Sequence, residues 1–470
     1  MDITLLSTEI LIAVLGLLVL ALGLTLQGKG NNLIAGFSLI ALVAILINAI
    51  YSYGINATLF NGVYAIDNFG TFFKILFLAA GILVILSAKD YISQFGKRAA
   101  EFYAFMIFAV LGMMVMAAAN ELLTLYIGLE LMTISFYVLT AYLLNDELSA
   151  EAGLKYLILG AISSAILLFG MSLVYAVSGT TVISEITANL RLEPVLITGI
   201  ILLVAGFAFK ISLIPFHMWA PDIYQGAPIP VTAFLAVGSK AAAFAALLRV
   251  FVVGLPIAEF NWGFIMALLA ALTMIVGNLI ALKQTNVKRL LAYSSIAQAG
   301  YIVVGLIAFN AYGLKGVLFY SMLYVFSNLG AFAVATAVEL ANGSTDIEAF
   351  NGLGKRSPMM AAIMTICLLS LAGIPPLAGF VGKFYLFAGA IQAGYLWLAF
   401  IGLVMSMISV YYYLNVAKAM YIGTSEDTSP IKVSFSSQLA LWTCLAGTIL
   451  IGIYPAPLTR LVQSAIQLFF

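Results

Sequence analysis

Charged side chains lie inside apolar runs of this sequence, and their chemical types suit proton transfer. Glu130 is near the middle of the run 121–144. Lys210, Lys240 and Lys383 lie in three later runs. An ionisable group at the centre of a bilayer costs about 2.5–3.5 kcal/mol on insertion scales, so it is expected to pair or to meet water. One carboxylate and three amines can bind and release protons without a cofactor.

Two lysines also have a simpler interpretation. Lys155 lies early in its predicted helix, and Lys210 is five residues from a proline, so each could extend its ammonium group to the membrane surface. This interpretation fits Glu130 and Lys383 poorly. It also fits Lys240 poorly, because at 1.5 Å per residue about 13 Å of helix or more flanks it on each side. Buried charges of this kind are expected to be functional.

A carboxylate beside an amine forms a switch. Burial disfavours the charged form of a lysine, and a nearby carboxylate favours it. We therefore expect Lys210 to hold its proton while Glu130 is close and to pass the proton on when the pair separates.

Other polar residues could extend such a path. His217 is the only histidine in the chain. It could relay protons near neutral pH, or it could cap a broken helix by hydrogen bonding. Tyr293, Ser294 and Ser295 could add a polar chain, although hydroxyls in helices usually bond their own backbone.

Prolines interrupt two apolar runs at corresponding places. Pro215 follows KISLI, and Pro375 and Pro376 lie in LAGIPPLAG, 160 and 161 residues later. Such breaks are tolerated at membrane depth only where protein or a water-filled cavity surrounds them. Paired broken helices are typical of transporters. About five spans fit the interval, and an odd number inverts the second copy, which predicts repeats at about 102–254 and 262–422.

The composition requires a membrane. The chain is 64% hydrophobic and 8% charged, whereas soluble domains are about 25% charged. Apolar runs of about 20 residues predict an all-α polytopic protein, residues 1–470 forming one domain of about fourteen spans. The prolines fall in the seventh and twelfth of these spans.

The distribution of basic residues predicts the orientation. With the N-terminus outside, the cytoplasmic loops hold eleven Lys and Arg residues: Lys29, Lys89, Lys97, Arg98, Lys283, Lys288, Arg289, Lys355, Arg356, Lys418 and Lys432. The opposite side holds at most five: Lys74, Arg191, Arg249, Lys315 and Arg460. Positive charge favours the cytoplasmic side, so both termini are predicted to be non-cytoplasmic in the cell membrane.

The sequence contains no recognisable cofactor site. Cys367 and Cys444 both lie in apolar runs and cannot form a metal cluster. There is no GxGxxG turn and no P-loop. The net charge of +1 argues against a polyanionic partner such as nucleic acid. Any redox cofactor is therefore expected in other chains.

Several stretches resemble the antiporter-like subunits of respiratory complex I, the proton-pumping NADH–quinone oxidoreductase. They are KISLIPFHMWAPDIYQGAPIPVTAFLAVGSKAA, LKYLILGAISSAILLFGMSLVY, VKRLLAYSSIAQAGYIVVG, DIEAFNGLGKRSP and LAGIPPLAGFVGKFYLF. The resemblance covers about residues 70–455 and is strongest to the N subunits. The L and M subunits and the multisubunit sodium/proton antiporters typically read PDAHxEAPTPVSA, where this chain has PDIYQGAPIPVTA.

The resemblance implies a fold and a set of site residues. The fold would have fourteen helices in two inverted five-helix repeats, with helices 7 and 12 broken. A Glu–Lys pair would be Glu130 and Lys210, with further lysines at Lys240 and Lys383. Secondary relay positions would be Lys155 and His217. NADH, FMN, iron–sulfur clusters and quinone would belong to partner subunits, and the neighbours would be other membrane-arm subunits.

Three functional hypotheses follow. The first is a proton-translocating subunit of the complex, driven by quinone reduction elsewhere, with no redox centre of its own. The second is a subunit of a multisubunit sodium/proton antiporter. The third is a scaffold whose charges only bind neighbouring subunits.

Overall fold

The computed structural model describes residues 3–26, 30–189, 193–255, 263–425, 427 and 429–470. Within these residues, eleven helical runs are long and apolar enough to cross a membrane, and one of them, Asn68–Ala118, contains two helices. The all-α, multi-span class is therefore confirmed. The count of fourteen spans stays a prediction. Lys29, Arg191 and residue 262, the expected start of the second repeat, lie outside the described residues.

The helices follow one another with short connections. The first part of the chain forms α1 (Ser7–Leu26), α2 (Asn31–Tyr51), α3 (Asn68–Ile92), α4 (Ala99–Ala118), α5 (Leu122–Thr140), α6 (Glu147–Ser178), α7 (Ile183–Ile186), α8 (Pro194–Lys210), α9 (Trp219–Gly226) and α10 (Ile229–Gly254). The second part forms α11 (Gly263–Ala281), α12 (Val287–Ala308), α13 (Ala311–Asn342), α14 (Leu353–Arg356), α15 (Pro358–Ala372), α16 (Ala378–Gln392), α17 (Leu396–Ile422), α18 (Phe435–Ile453) and α19 (Ala456–Ala465). A short antiparallel hairpin, β1 (Ala57–Leu59) and β2 (Tyr64–Ile66), connects α2 to α3.

Three of these helices form the centre of the bundle. In α10, α12 and α13, 94–100% of the apolar 18-residue stretch that could cross the membrane is buried inside the protein. In α1, α2 and α18 the buried share of that stretch is 28–33%. The central helices carry many small residues, such as the alanines of KAAAFAA in α10. Small residues let helix backbones approach closely where lipid gives no hydrophobic drive. Lys240, Arg249 and Lys288, which lie on α10 and α12, are accordingly only 2–5% exposed.

Protein groups satisfy the backbone at the first helix break. The chain leaves α8 after Lys210 and enters α9 at Trp219. The Ile214 N–H donates to Thr273 Oγ1 (3.0 Å), and Trp219 Nε1 donates to the Phe209 carbonyl (2.8 Å). Helices α11 and α9 thus provide the hydrogen bonds that a continuous helix would have made, as a break at membrane depth requires.

Matching helix ends support the predicted repeat. Helices α6 and α13 both have 32 residues. Each begins at a side-chain cap, Asp146 or Asn310, and each ends at a left-handed glycine, Gly179 (φ 72°) or Gly343 (φ 70°). Asn310 and Gly343 come 164 residues after Asp146 and Gly179. The repeat boundaries stay predictions.

A close crossing of α4 and α5 positions Glu130. Gly112 and Gly128 face each other there, and a Cβ atom on Gly128 would lie 2.8 Å from the Met116 nitrogen and 2.9 Å from the Gly112 oxygen. Both neighbouring atoms belong to the backbone and cannot rotate away. Because neither position has a side chain, α5, which carries Glu130, can pack closely against α4.

Gly128→Ala is expected to destabilise the protein by about 1–3 kcal/mol, because the added methyl group must push α4 and α5 apart. Thermal unfolding in detergent measures the effect. Gly36→Ala is the matched control, since no atom lies within 4 Å of a Cβ there. A Gly128→Ala midpoint equal to that of Gly36→Ala would contradict the prediction.

Candidate functional site

Lys383 lies beyond the second helix break, and its ammonium group has three acceptors. Nζ donates to the carbonyls of Leu371 (2.9 Å) and Ala372 (3.1 Å) and to Ser406 Oγ (2.7 Å). The carbonyls are available because α15 ends at Ala372, and the last carbonyls of a helix have no partner within it. Only 4% of Lys383 is exposed. The break therefore supplies the ligands for a buried cation without a carboxylate.

A cavity of about 350 Å³ opens beside Lys383 between α16 and α17. Its wall is mostly apolar and includes Phe384, Leu403 and Met407, with Ser406 as a polar member. Phe384 and Met407 are exposed on the outer surface of the chain. The cavity thus offers a chain of water few hydrogen-bond partners apart from Lys383 and Ser406.

Gln298 on α12 connects Lys383 to a second group of polar side chains. Its Nε2 donates to the Leu371 carbonyl (3.0 Å), the same oxygen that Lys383 binds. Nε2 also lies 3.3 Å from Tyr413 Oη, which shares a 2.5 Å hydrogen bond with Ser294 Oγ. Gln298 and Ser294 are both 1% exposed. Lys383 is thus part of a buried hydrogen-bond network.

Lys240 lies in the middle of α10, directly after the π-helical turn Leu235–Ser239. Its Nζ donates to the carbonyl (2.9 Å) and to Oγ (2.8 Å) of Ser295 on α12. The Tyr224 ring centroid is 6.0 Å from Nζ. The lysine is 4% exposed, so its environment is a hydroxyl, a carbonyl and an aromatic ring rather than a counter-ion.

Hydrogen bonds lead from Lys240 to Ser295 and from Gln298 to the carbonyl that Lys383 binds, with one gap between Ser295 and Gln298. Ser295 and Gln298 are three residues apart and therefore adjacent on one face of α12. A cavity of about 10 Å³ lies between α10, α12 and α13, lined by Lys240, Ser295, Gln298 and Tyr324 among others. About this much space holds one water molecule. One water would complete a polar connection from Lys240 through Gln298 to the carbonyl that Lys383 binds.

Lys210 and Glu130 are not paired in this structure. Lys210 is 4% exposed, and its Nζ donates to Thr133 Oγ1 at 3.0 Å. Among the described residues no ion pair within 4.0 Å includes Glu130, and its buried Oε1 has no hydrogen-bond partner. Thr133 follows Glu130 by three residues, so both lie on one face of α5. The predicted Glu130–Lys210 ion pair is therefore not formed in this structure, and the switch stays a prediction.

Lys155 belongs to a half-exposed charged cluster. Its Nζ bonds the carboxylates of Glu151 (2.5 Å) and Asp222 (2.8 Å). Arg289 Nη1 also bonds Asp222 (2.9 Å), together with Gln225 Oε1 (3.0 Å). The Lys155 side chain is 40% exposed and borders a polar cavity of about 200 Å³. The Lys155 ammonium group thus lies at the surface of the protein, where it binds Asp222. The sequence pattern did not single out Asp222.

His217 lies in the first break, with its ring half-buried. Its backbone carbonyl accepts from the Ala220 N–H (3.0 Å). Among the described residues, Nδ1 has no hydrogen bond of normal geometry. The neighbouring Met218 is 73% exposed. His217 therefore lies at the outer surface of the bundle rather than between the buried lysines.

The predicted residues fall into two groups. Lys240 binds Ser295, and Lys383 shares the Leu371 carbonyl with Gln298, whose neighbour Tyr413 binds Ser294, so that Ser294 and Ser295 lie on opposite sides of the one gap. Tyr293 is buried and lies beneath Arg289, with the guanidinium 6.0 Å from its ring centroid. The described side-chain hydrogen bonds do not continue from Lys210 and Thr133 to Lys240. Gln298 was missed, and its only sequence signal is its place one turn beyond Ser294 and Ser295.

The interpretation of Lys74 and Arg249 as loop charges is wrong. Arg249 is 2% exposed, and its Nη2 lies 2.9 Å from both carboxylate oxygens of Asp67. Lys74 is 4% exposed and is ion-paired with Glu9 on α1, which also accepts from Tyr64 Oη (2.7 Å). The carboxylates that neutralise these bases come from other elements, so a count along the chain does not detect them.

Among the described residues there is no group of three or more His, Cys, Asp or Glu side chains that could hold a metal ion. The chemistry of the site is that of amines, hydroxyls, one amide and freed carbonyls. Such groups can pass protons between one another and ordered water.

Comparisons with known proteins agree with this architecture. A family model described as NADH:quinone oxidoreductase/Mrp antiporter, TM, matches residues 119–409. The NADH-quinone oxidoreductase subunit N of Heliobacterium modesticaldum is 52% identical, with 100% of each chain covered. Both measures extend over most of the chain, so the similarity is not confined to a motif.

Solved structures give the same result. A chain of respiratory complex I from Thermus thermophilus with bound aureothin has a TM-score of 0.84 and 33% identity, covering 97% of this chain and 99% of that one. A chain of the Mrp complex from Dietzia sp. DQ12-45-1b has a TM-score of 0.87 at 19% identity, covering 100% of this chain and 98% of that one. The second similarity shows a shared fold.

Proposed function

The chain belongs to the NADH:quinone oxidoreductase/Mrp antiporter membrane family, among its subunit N members, and from that membership we propose that it is a proton-translocating membrane-arm subunit of a complex I-type NADH–quinone oxidoreductase. Its role in that enzyme is translocation, coupled to quinone reduction in other subunits. It is a multi-pass protein of the plasma membrane.

One observation carries the proposal. Lys240 and Lys383 are 4% exposed and lie in different helices, and the polar groups Ser295, Gln298 and the Leu371 carbonyl lie between them with one gap, a cavity of about 10 Å³ beside Ser295 and Gln298. Burying an amine at this depth is costly. A scaffold for neighbouring subunits would place charges at its surface, whereas these amines are buried inside the bundle.

Each predicted residue has a role in the proposal. Lys210 exchanges its proton according to the distance of Glu130, since a carboxylate nearby favours the charged amine. Lys240 and Lys383 carry the proton onward. Lys155 and His217 are secondary relays, one in the charged cluster with Asp222 and the other at the surface of the first break.

The cofactors and partners are assigned to other chains. NADH, FMN, iron–sulfur clusters and quinone are bound by partner subunits of the enzyme, as the family's coupling of redox chemistry to transport requires. The neighbours in the membrane are other antiporter-like and small membrane-arm subunits, and the remaining surface contacts lipid.

We place both termini on the non-cytoplasmic side. Lys97, Arg98 and Lys283 lie in connections, and Lys355 in the short helix α14, at the end of the bundle where α3 and α13 end and α6 and α12 begin. This end is called the basic end below. The positive-inside rule favours the cytoplasm for this end.

Lys210→Ala and Glu130→Ala test the proposal in the assembled enzyme. Each is expected to lower proton pumping and coupled NADH–quinone reduction by at least about tenfold, since a proton-transfer group typically contributes 10²–10⁴-fold. Proton uptake into membrane vesicles and quinone reduction are measured together. Glu147→Ala, at an exposed carboxylate at the start of α6, is the matched control.

Three outcomes distinguish the hypotheses. Wild-type pumping and quinone reduction in both variants would refute the proposed function. Sodium-dependent proton flux without NADH or quinone would indicate an antiporter subunit instead. Poor assembly with normal turnover per assembled complex would indicate a scaffold.

A further inference from the structure

Another buried lysine lies near the basic end, outside the sites described so far. Lys288 in the first turn of α12 is 5% exposed. Its Nζ donates to the Ala227 carbonyl (2.8 Å) between α9 and α10 and lies 3.9 Å from Glu339 Oε1 on α13. The Glu339 side chain is 24% exposed. A carboxylate with access to the surface is thus next to an ammonium group that has almost none.

The carboxylate is poorly satisfied. Among the described residues, Glu339 Oε2 is buried without a hydrogen-bond partner. Tyr91 on α3, whose hydroxyl is within reach of this carboxylate, and Asp146 before α6 are the other titratable groups that face it. A buried carboxylate oxygen that is left unpaired is unfavourable, because it has lost its hydrogen bonds to water. An ion-pair clamp would use both oxygens, so this geometry fits a group that binds water and exchanges protons.

Lys288 is in line with the Lys240 site. Ser295, which binds Lys240, is seven residues after Lys288, so the two lie on one face of α12 about 10 Å apart. Tyr224 and Tyr324 place their hydroxyls near Ser295, although neither makes a hydrogen bond of normal geometry among the described residues. Two tyrosine hydroxyls therefore lie near the serine that binds Lys240, and one of them, that of Tyr324, belongs to the wall of the small cavity.

Asn328 extends this set toward Glu339. It follows Tyr324 by one turn of α13 and is 1% exposed, and within the described part of the chain neither Nδ2 nor Oδ1 has a partner. Glu339 is three turns further along the same helix, on the same face. Buried polar groups are normally hydrogen-bonded to protein or ordered water. Water is the ligand that fits both atoms of this amide.

We propose that Glu339 and Lys288 form a proton-uptake site at the basic end, which supplies Lys240 through water bound by Asn328, Tyr324 and Tyr224. A hydronium ion of the solution at the basic end transfers a proton to the Glu339 carboxylate, so that one of its O–H bonds breaks, an O–H bond forms on Glu339, and a water molecule is left in the solution. That proton then passes through the water to the neutral Lys240 amine, where an N–H bond forms. Lys288 stays charged throughout, and its charge favours the ionised form of Glu339 once the proton has left. This inference rests on the proposed function of Lys240.

Glu339→Gln tests the uptake site in the assembled enzyme. Proton pumping and quinone reduction are expected to fall by about tenfold at alkaline pH, with a smaller loss in acid. The alkaline limb of the pH profile moves about one unit lower, because a tenfold slower supply needs tenfold more protons. Glu339→Asp, which keeps a carboxylate, should retain most of the wild-type pumping activity. Glu348→Gln, at an exposed carboxylate at the same end, should behave as wild type.

Asn328→Leu keeps the test valid if Glu339→Gln assembles poorly. A purely structural role predicts a stable and fully active variant, because the substitution removes two unsatisfied polar atoms and keeps the volume. The water route predicts a normal or higher melting temperature together with about tenfold slower pumping. Full activity of both Asn328→Leu and Glu339→Gln at alkaline pH would overturn the inference.

Lys240→Ala separates the two proposals. If Lys240→Ala stops pumping while Glu339→Gln and Asn328→Leu pump normally, only the uptake site is refuted. If Lys240→Ala pumps normally, the proposed function fails, and the uptake site fails with it.

Discussion

Lys383→Met is expected to abolish proton pumping and to lower coupled quinone reduction by about a hundredfold in the assembled enzyme. Methionine fills the same volume but cannot carry a proton. The carbonyls of Leu371 and Ala372 and the hydroxyl of Ser406 also lose the donor that they share. Proton uptake into vesicles and quinone reduction are measured on equal amounts of assembled complex.

Lys383→Arg distinguishes proton transfer from charge alone. An arginine keeps the positive charge beside the second break but does not release its proton in a protein. If Lys383 transfers protons, the arginine variant should pump as poorly as Lys383→Met. Recovery of pumping by arginine would show that the charge only holds the break together. Lys432→Met, at an exposed lysine, is the control for loss of a lysine as such.

Arg249→Met is expected to destabilise the folded protein by about 3–5 kcal/mol, the cost of leaving one member of a buried ion pair without its partner. Arg249 Nε donates to the Ala117 carbonyl (2.6 Å), and its guanidinium is 5.0 Å from the Phe69 ring centroid. Asp67 accepts from the Gly70 N–H (2.6 Å) as the cap of α3. The pair thus joins α3, α4 and the end of α10.

A double-mutant cycle with Asp67→Asn checks the cause. Asparagine caps a helix about as well as aspartate. The double variant Asp67→Asn with Arg249→Met therefore has no unpaired charge at this site, and it should be more stable than Arg249→Met alone. Thermal unfolding in detergent gives the midpoints of the four proteins, and the amount by which the two single changes fail to add up in the double variant reports the coupling between the residues. A double variant less stable than Arg249→Met would contradict this explanation.

Helix ends and the class of the fold could be predicted from local sequence. The apolar runs and low charge required a bilayer, and the helical class was confirmed. Pro215 and Pro375–Pro376 placed both breaks, because proline lacks the N–H that a helix needs. The charges in apolar runs at Lys210, Lys240 and Lys383 indicated buried amines, and each is 4% exposed.

The partners of those charges depended on the tertiary structure. Lys383 binds the carbonyls of its own break, Lys240 binds Ser295, and Lys210 binds Thr133 instead of Glu130. Lys155 lies at the surface because Asp222, 67 residues away in sequence, is there to bind it. Helical periodicity shows which residues share a face, but it does not show which face of another helix packs against it.

The sequence by itself determined that this protein is a membrane helix bundle with charge at two breaks and between them, since hydropathy and proline act through the local chain. Only the tertiary structure decided which charges are connected. Gln298 lies next to the Leu371 carbonyl, Lys288 next to Glu339, and Arg249 next to Asp67. These contacts join residues 51–182 positions apart, and they form only when the packing of the whole bundle brings the helices together.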